Sequence, residues 1–283
     1  MKHLIVNADD YGLTASVCAG IRKAHREGIV TSTTAMMNMP GVEVEVQTAL
    51  ESCPTLGLGV HLVLTAGHPI SSHQKIPSLN RILESGHFPS RIDLIENVDK
   101  VNIKDIKVEW QAQVERFIQV TGRTPDHLDS HHHISYLTPE LFGTMLELAG
   151  NYNCAIRSPF RDMSTPGNLF EDTNEPWLEK ASHAIFILLQ NSRGIRRPDH
   201  FEDQFYDQGA GAVYLEKIIT SLPEGVTELM CHPSLPDEQL KSVTIYYNQR
   251  PVELALLTDP GNRNLLSANG VELITFSDLQ LAP

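Results

Sequence analysis

Two kinds of apolar pattern alternate along the chain. Leu4-Ile5-Val6 is an unbroken apolar run and reads as a buried strand; Asn7, Asp9, Asp10 and Gly12 then mark its end and the opening of a loop. From Ala15 to Glu27, Val17, Ile21 and Ala24 recur at helical spacing, with Thr14 placed to cap the helix and Gly28 to stop it. Ile29 to Met37 is rich in β-branched residues and reads as a second strand. Val42 to Ser52 reads as a helix, and Leu56 to Leu64 as a third strand with His61 embedded in it. Strand and helix in alternation predict parallel strands joined by crossover helices.

The stretch from Thr65 to Val101 breaks this rhythm. Gly67, Pro69, Pro77, Gly86 and Pro89, with serines between them, predict a long excursion carrying a short helix near Leu79 to Ser85. Directly after the His61 strand, it is placed to shape a substrate site. Lys104 to Thr121 has the stripe Ile106, Trp110, Val114, Phe117 and Ile118, which makes it an amphipathic helix and Trp110 a core residue rather than a sugar platform. Asp126 to His133 reads as a short strand giving way to a loop, Pro139 to Tyr152 as a helix, and Ala155-Ile156-Arg157 as a strand ending in Arg157. From Pro159 to Gln208 the pattern weakens, and only Trp177 to Asn191 reads as helix. Ala210 to Leu222 is a helix, and Val226 to Pro233 a strand stopped by His232-Pro233. Asn248 to Leu266 is helical overall despite Pro251 and Pro260, and Gly270 to Phe276 is a final strand. Six or more strands alternating with helices, without internal repeat or linker, predict one α/β domain over residues 1–283: a single, irregular (β/α) barrel.

Composition narrows the partners. The 283 residues are 41% hydrophobic and 20% charged, enough to bury a large core. A net charge of -13 with no basic run argues against nucleic acid and anionic membrane, and favours neutral or cationic small molecules. No apolar stretch is long enough to span a bilayer, and Met1-Lys2-His3 leads straight into the first strand without a signal-peptide core. Cys18, Cys53, Cys154 and Cys231 have no CxxC spacing. Reduced, buried thiols in a cytoplasmic protein are the economical expectation.

Polar residues then gather at the strand ends: Asp9 and Asp10, His61, His131 to His133, Arg157 and His232. In a parallel barrel these ends share one face, where active sites are built. Adjacent carboxylates raise one another's pKa, a cost that a bound cation offsets. One carboxylate with two imidazoles makes an open metal site with positions left for water and substrate. Each piece has a plainer reading: a solvated Asp-Asp turn, a hydrogen-bonded core histidine at His61, a solvated triple-histidine loop, a strand-end His232 without a role. Together at one face they point to a site.

Four segments carry a resemblance: Asn7-Ala8-Asp9-Asp10-Tyr11-Gly12, Gly59-Val60-His61-Leu62, His127-Leu128-Asp129-Ser130-His131-His132-His133 and Met230-Cys231-His232-Pro233. They resemble the signature segments of the YdjC/ChbG family, carbohydrate deacetylases acting on chito-oligosaccharides, and Gly28 to Thr34 is similar to the segment after that family's first helix. The resemblance runs from Lys2 to about Phe276 and is loose from Ser158 to Gln208. It implies an irregular (β/α) barrel of the polysaccharide-deacetylase type, usually homodimeric, with one divalent metal ion. By it, Asp10, His61 and His131 are the ligands, Asp9 the base and His232 the acid. The family commonly carries a further histidine two positions after His133, where this chain has Ser135.

The chemistry follows. An N-acetyl group on a sugar is an unactivated amide, whose hydrolysis needs a strong nucleophile, a stabilised oxyanion and a protonated leaving amine. Asp9 is expected to take the proton of water and His232 to protonate the amine. Asp129 is expected to accept a ring N–H and orient a ligand histidine. Arg157 either pairs with Asp9 or contacts substrate; His133 is assigned to the shell behind the ligands and His132 to solvent. Zinc suits the ligands, magnesium prefers more oxygen, and both stand. Two alternatives are a non-haem iron(II) oxygenase and a non-catalytic sugar-binding protein with the metal as a structural clip.

Overall fold

The first strand, β1 (Lys2–Tyr11), is the axis of the molecule, and every residue from Leu4 to Tyr11 is buried. A strand hidden on both faces needs cover on both, which parallel sheets with crossover helices supply. The computed structural model describes residues 1–161 and 176–279. Residues 162–175, inside the stretch of weak pattern, and residues 280–283 lie outside the described residues. After β1 come α1 (Ala15–Glu27), β2 (Ser32–Ala35), α2 (Val42–Ser52), β3 (Gly57–Leu62), α3 (Arg91–Asn97), α4 (Ile103–Thr121), β4 (His127–Ser130), α5 (Pro139–Tyr152) and β5 (Ala155–Ile156). The second half adds α6 (Pro176–Asn191), β6 (His200–Glu202), α7 (Ala212–Ser221), β7 (Gly225–Cys231), α8 (Arg250–Leu257), α9 (Gly261–Ala268) and β8 (Val271–Leu273).

Among the described residues all pairings between these strands are parallel, in the order β5-β4-β3-β2-β1-β7-β6. β7 runs along β1 from Lys2 to Ala8, while the other edge of β1 is divided: β8 takes Lys2 to Leu4 and β2 takes Asn7 to Tyr11. Among the described residues no strand pairing joins β5 to β6. Irregular chain lies along both instead, through Ile156 N–H to Arg196 C=O (2.9 Å) and Phe201 N–H to Arg161 C=O (3.3 Å). The result is the irregular (β/α) barrel that the alternation predicts.

The expected caps hold: the Thr14 hydroxyl accepts from Val17 N–H, and Gly28 follows α1. Trp110 and Phe117 of α4 are wholly buried, worth about 2–3 kcal/mol each. Two expectations need correction. The helix read over Asn248 to Leu266 is two helices, α8 and α9, parted at Thr258–Pro260. Proline disfavours helical geometry in the residue before it, while Pro251, in the first turn of α8, is tolerated. The excursion's short helix is a 3-10 turn over Leu79–Ile82, and α3 follows it, capped by Ser90 accepting from Asp93 N–H. β6 has three residues, too few for a pattern to show. The excursion is stitched to α4 by buried carboxylates: Glu109 accepts from Ile70 N–H (3.0 Å) and Ser71 N–H (2.8 Å), and Asp105 from Ser78 N–H (2.6 Å).

The barrel interior is a polar column on an apolar floor. Ile5, Ala155, Phe276 and Leu279 form the floor, apart from the main core. The His127 ring stacks on Phe276 at 3.6 Å, and its Nε2 lies 3.1 Å from Asn7 Oδ1. Asn7 in turn donates to Asp9 (2.8 Å). Gly59 makes room for this column, since a Cβ there would stand 2.6 Å from the His127 ring.

Candidate active site

The two aspartates reach one site because β1 breaks its alternation. Successive strand residues face opposite sides, so Asp9 and Asp10 should diverge. The β1–β2 register shifts between Ala8 and Tyr11, and Asp10 adopts a left-handed conformation (φ 68°). This bulge turns both carboxylates inward; aspartate is among the residues that tolerate it best. The turn lies at Asp10 itself, ahead of Gly12.

Each carboxylate has its own buried arginine. Arg157, after β5, donates from both Nη atoms to Asp9 (2.7 and 2.6 Å), from Nε to Glu228 (2.7 Å), and lies 3.1 Å from Asp129. Of the two alternatives for Arg157, the structure shows the pairing with Asp9. Burial alone would raise the Asp9 carboxyl, but Arg157 holds it well below the usual carboxylate range. Arg250 of α8 donates to Asp10 Oδ2 (2.6 Å) and is held by Tyr246 C=O (2.7 Å). With His131 it overcomes burial and keeps Asp10 ionised.

Asp10 Oδ1 is buried and has no hydrogen-bond donor among the described residues. It is faced by His131 Nδ1 at 2.9 Å and His61 Nε2 at 3.4 Å. One ligand atom from each of Asp10, His61 and His131 lies within 4.8 Å of the other two. His61 has its other nitrogen, Nδ1, 2.7 Å from Asp129 Oδ1, which aims Nε2 at Asp10; Thr34 Oγ1 donates to Asp129 Oδ2 (3.0 Å). Burial would lower His61, yet Asp129 and Asp10 push it up to about 10, so this pocket favours positive charge. An orphan carboxylate oxygen opposite two imidazole nitrogens fits a divalent cation. Asp9, His61 and Asp129 form a second such group, but there the Arg157 guanidinium already supplies the cation.

His232, after β7, has Nε2 4.0 Å from Asp9 Oδ2, and burial pushes it down to about 4 against the pull of Asp9 and Asp10. Its backbone N–H donates to Glu253, which also accepts from Tyr246 Oη. His133 lines the same cavity, of about 290 Å³, at a left-handed position (φ 57°). His132 is exposed, its Nδ1 3.0 Å from Thr65 Oγ1. Ser135 is wholly buried and bonds Ser130 (2.7 Å), bracing the turn that presents His131. Arg91, from the excursion, lines the cavity.

Sequence reasoning missed Arg250, Glu228, Glu253, Tyr206 and Tyr246. Arg250 reads as the polar start of a helix and gives no signal. Glu228 does: a charge inside the buried run from Thr227 to Cys231 needs a partner, and Arg157 is it.

The family described as YdjC-like protein matches residues 3–268. A carbohydrate deacetylase of Thermoanaerobacter pseudethanolicus is 34% identical over 280 residues, covering 99% of this chain and 100% of the relative. A chitooligosaccharide deacetylase of Proteus mirabilis is 35% identical over 283 residues, covering 99% and 100%. A solved structure from Enterococcus faecalis V583, described as a candidate cellobiose-phosphate cleavage protein, superposes with a TM-score of 0.81 at 32% identity over 97% of each chain. With its family segments at the ends of one parallel barrel and relatives matched from end to end, this chain belongs to the YdjC-like family.

Proposed function

We propose that this chain is a carbohydrate deacetylase that removes N-acetyl groups from chito-oligosaccharides, using one divalent metal ion held by Asp10, His61 and His131. The observation that carries the reading is the buried, donor-less Asp10 Oδ1, faced by two imidazole nitrogens and flanked by a second carboxylate, Asp9, that Arg157 already satisfies. An ion there would act as a Lewis acid, acidifying water and polarising the acetyl carbonyl.

The chain's own groups handle the protons. Asp9 is the base: Arg157 and Asn7 fix its carboxylate, and Oδ2 lies 4.0 Å from His232 Nε2. His232 protonates the leaving amine. Because burial keeps it neutral at rest, the proton it gives is one it gains during turnover, and Asp9 is a source at hand. Asp129 keeps His61 in the tautomer that leaves Nε2 free. The oxygenase reading gains no support from relatives named as deacetylases. The non-catalytic reading leaves the anchored Asp9 without work. The test is acetate release from N,N′-diacetylchitobiose, with chelator and then with metal added back. Release that chelator abolishes and metal restores is expected; release indifferent to chelator would refute the metal.

A further inference from the structure

We propose that Tyr206 is the platform on which a pyranose ring of the substrate lies, so that sugar affinity depends on this side chain; this rests on the carbohydrate reading above. Tyr206 lines the cavity that holds Asp9, Asp10 and His232, and remains 41% exposed. Tyr246, itself only 6% exposed, covers one face of its ring at a centroid distance of 4.1 Å and an interplanar angle of 15°. The Tyr206 ring stands edge-to-face with His232 at 5.5 Å.

An exposed aromatic of this size gains little from its own burial, yet its surroundings are built to hold it. Asp207, the next residue, takes a left-handed conformation (φ 51°). Its N–H donates to Tyr246 Oη (3.0 Å), and its carboxylate accepts from Gln249 Nε2 (2.9 Å). Tyr206 C=O accepts from Gly209 N–H (2.8 Å), and a Cβ at Gly209 would run into Gln204 C=O. Tyr246 is itself tied to the buried Glu253, which also accepts from the His232 N–H. One network therefore fixes the platform and His232 together. A rigid aromatic face with little ordering entropy left to lose suits the apolar C–H face of a sugar ring, while Asp203 and Arg91 on the same cavity wall suit its hydroxyls. The position suits the chemistry: two bonds separate the scissile carbonyl carbon from the pyranose ring, so that ring must lie beside the group that protonates its amine.

The experiment compares wild type, Tyr206→Ala and Tyr206→Phe, with N,N′-diacetylchitobiose and triacetylchitotriose as probes. Affinity is read by NMR titration of the metal-free protein, and KM and kcat by acetate release from the metal-loaded protein. Tyr206→Ala is expected to weaken binding and raise KM roughly tenfold, with kcat and metal content near wild type, and Tyr206→Phe to restore affinity. Affinity and KM unchanged in Tyr206→Ala, beside a wild type that binds and cleaves, would overturn the platform and leave the deacetylase reading standing. A loss in Tyr206→Ala that Tyr206→Phe does not recover would overturn stacking as its basis. Sugar binding that depends on Tyr206 without any acetate release would sustain the platform and overturn the deacetylase reading. A wild type that binds neither probe would overturn the platform.

Discussion

The site has two halves that differ in how the chain builds them. Asp10, His61 and His131 come from the ends of three strands on one side of the barrel, β1, β3 and β4, each within a few residues of a strand end. Asp9, Arg157, Glu228 and His232 come from β1, β5 and β7, with Glu253 of α8 bracing His232, while Arg250 of the same helix holds Asp10. Among the described residues, the first half leaves Asp10 Oδ1 without a donor opposite two imidazole nitrogens; the second leaves Glu228 Oε2 and His232 Nδ1 without partners, while its Asp9 accepts from both Arg157 and Asn7. A carboxylate oxygen opposite two imidazoles suits an exogenous cation, and a carboxylate wired to its own guanidinium stays ionised and fixed in place. The two meet at adjacent residues of one bulged strand.

The largest expected effect tests the gap. His61→Ala and His131→Ala should each lose most bound metal by elemental analysis and, with it, essentially all acetate release. Full metal stoichiometry in both variants would dissolve the distinction between the halves.

The difference also explains what the sequence let one read. Asp10, His61 and His131 interrupt apolar strand patterns, so local reading finds them. Arg157 falls at a strand end and is visible for the same reason. Arg250 reaches Asp10 from 240 residues away in the chain, off a helix whose own pattern says only "polar start". Tyr206 lies just after the three-residue β6, in a stretch without periodicity. The barrel itself was legible because alternation is a local property. The break before Pro260 is local too; the division of one β1 edge between β2 and β8, and the stacking of Tyr206 on Tyr246, are decided by contacts between distant segments.

The next effect separates the adjacent aspartates. Asp9→Asn should keep its metal while kcat falls by roughly a hundred- to ten-thousand-fold, as for a lost general base. Asp10→Asn should lose both metal and activity. The reverse pattern would show that the two halves exchange roles. Near-wild-type turnover in Asp9→Asn would remove the proton-handling half altogether.

A smaller effect concerns stability. One guanidinium cannot balance Asp9, Asp129 and Glu228 together. Burial, against the pull of Arg157, pushes Glu228 up to about 7 from 4.5. Its folded pKa lies above its unfolded one, so the folded state holds the extra proton between these values. Its contribution is therefore most favourable below about pH 4.5 and is lost as pH rises to about 7, by roughly 3 kcal/mol at most. Urea unfolding of metal-free protein at pH 5 and pH 8 should show this loss, and Glu228→Gln, which keeps an acceptor for Arg157 Nε, should make it smaller. An identical pH slope in both proteins would assign the exchangeable proton elsewhere.

The smallest effect lies at Asp129, where the halves touch. Its Oδ1 accepts from His61 Nδ1, and its Oδ2 accepts from Thr34 and lies 3.1 Å from Arg157. Asparagine can keep the bond to His61 only by turning its amide NH₂ toward Thr34 and Arg157; the Thr34 hydroxyl can rotate to accept, but the guanidinium only donates, so one side must lose a partner. Loosening His61 should weaken metal affinity by roughly ten- to a hundred-fold, the range for a lost group behind a metal ligand. Arg157 keeps both bonds to Asp9 and its bond to Glu228, so Asp9 should stay aimed. Asp129→Asn is therefore expected to need more metal for half-maximal activity, yet to reach a kcat near wild type once saturated. If kcat at saturating metal falls as far as in Asp9→Asn, the halves act as one unit through Asp129, and the division drawn from their construction does not extend to their function.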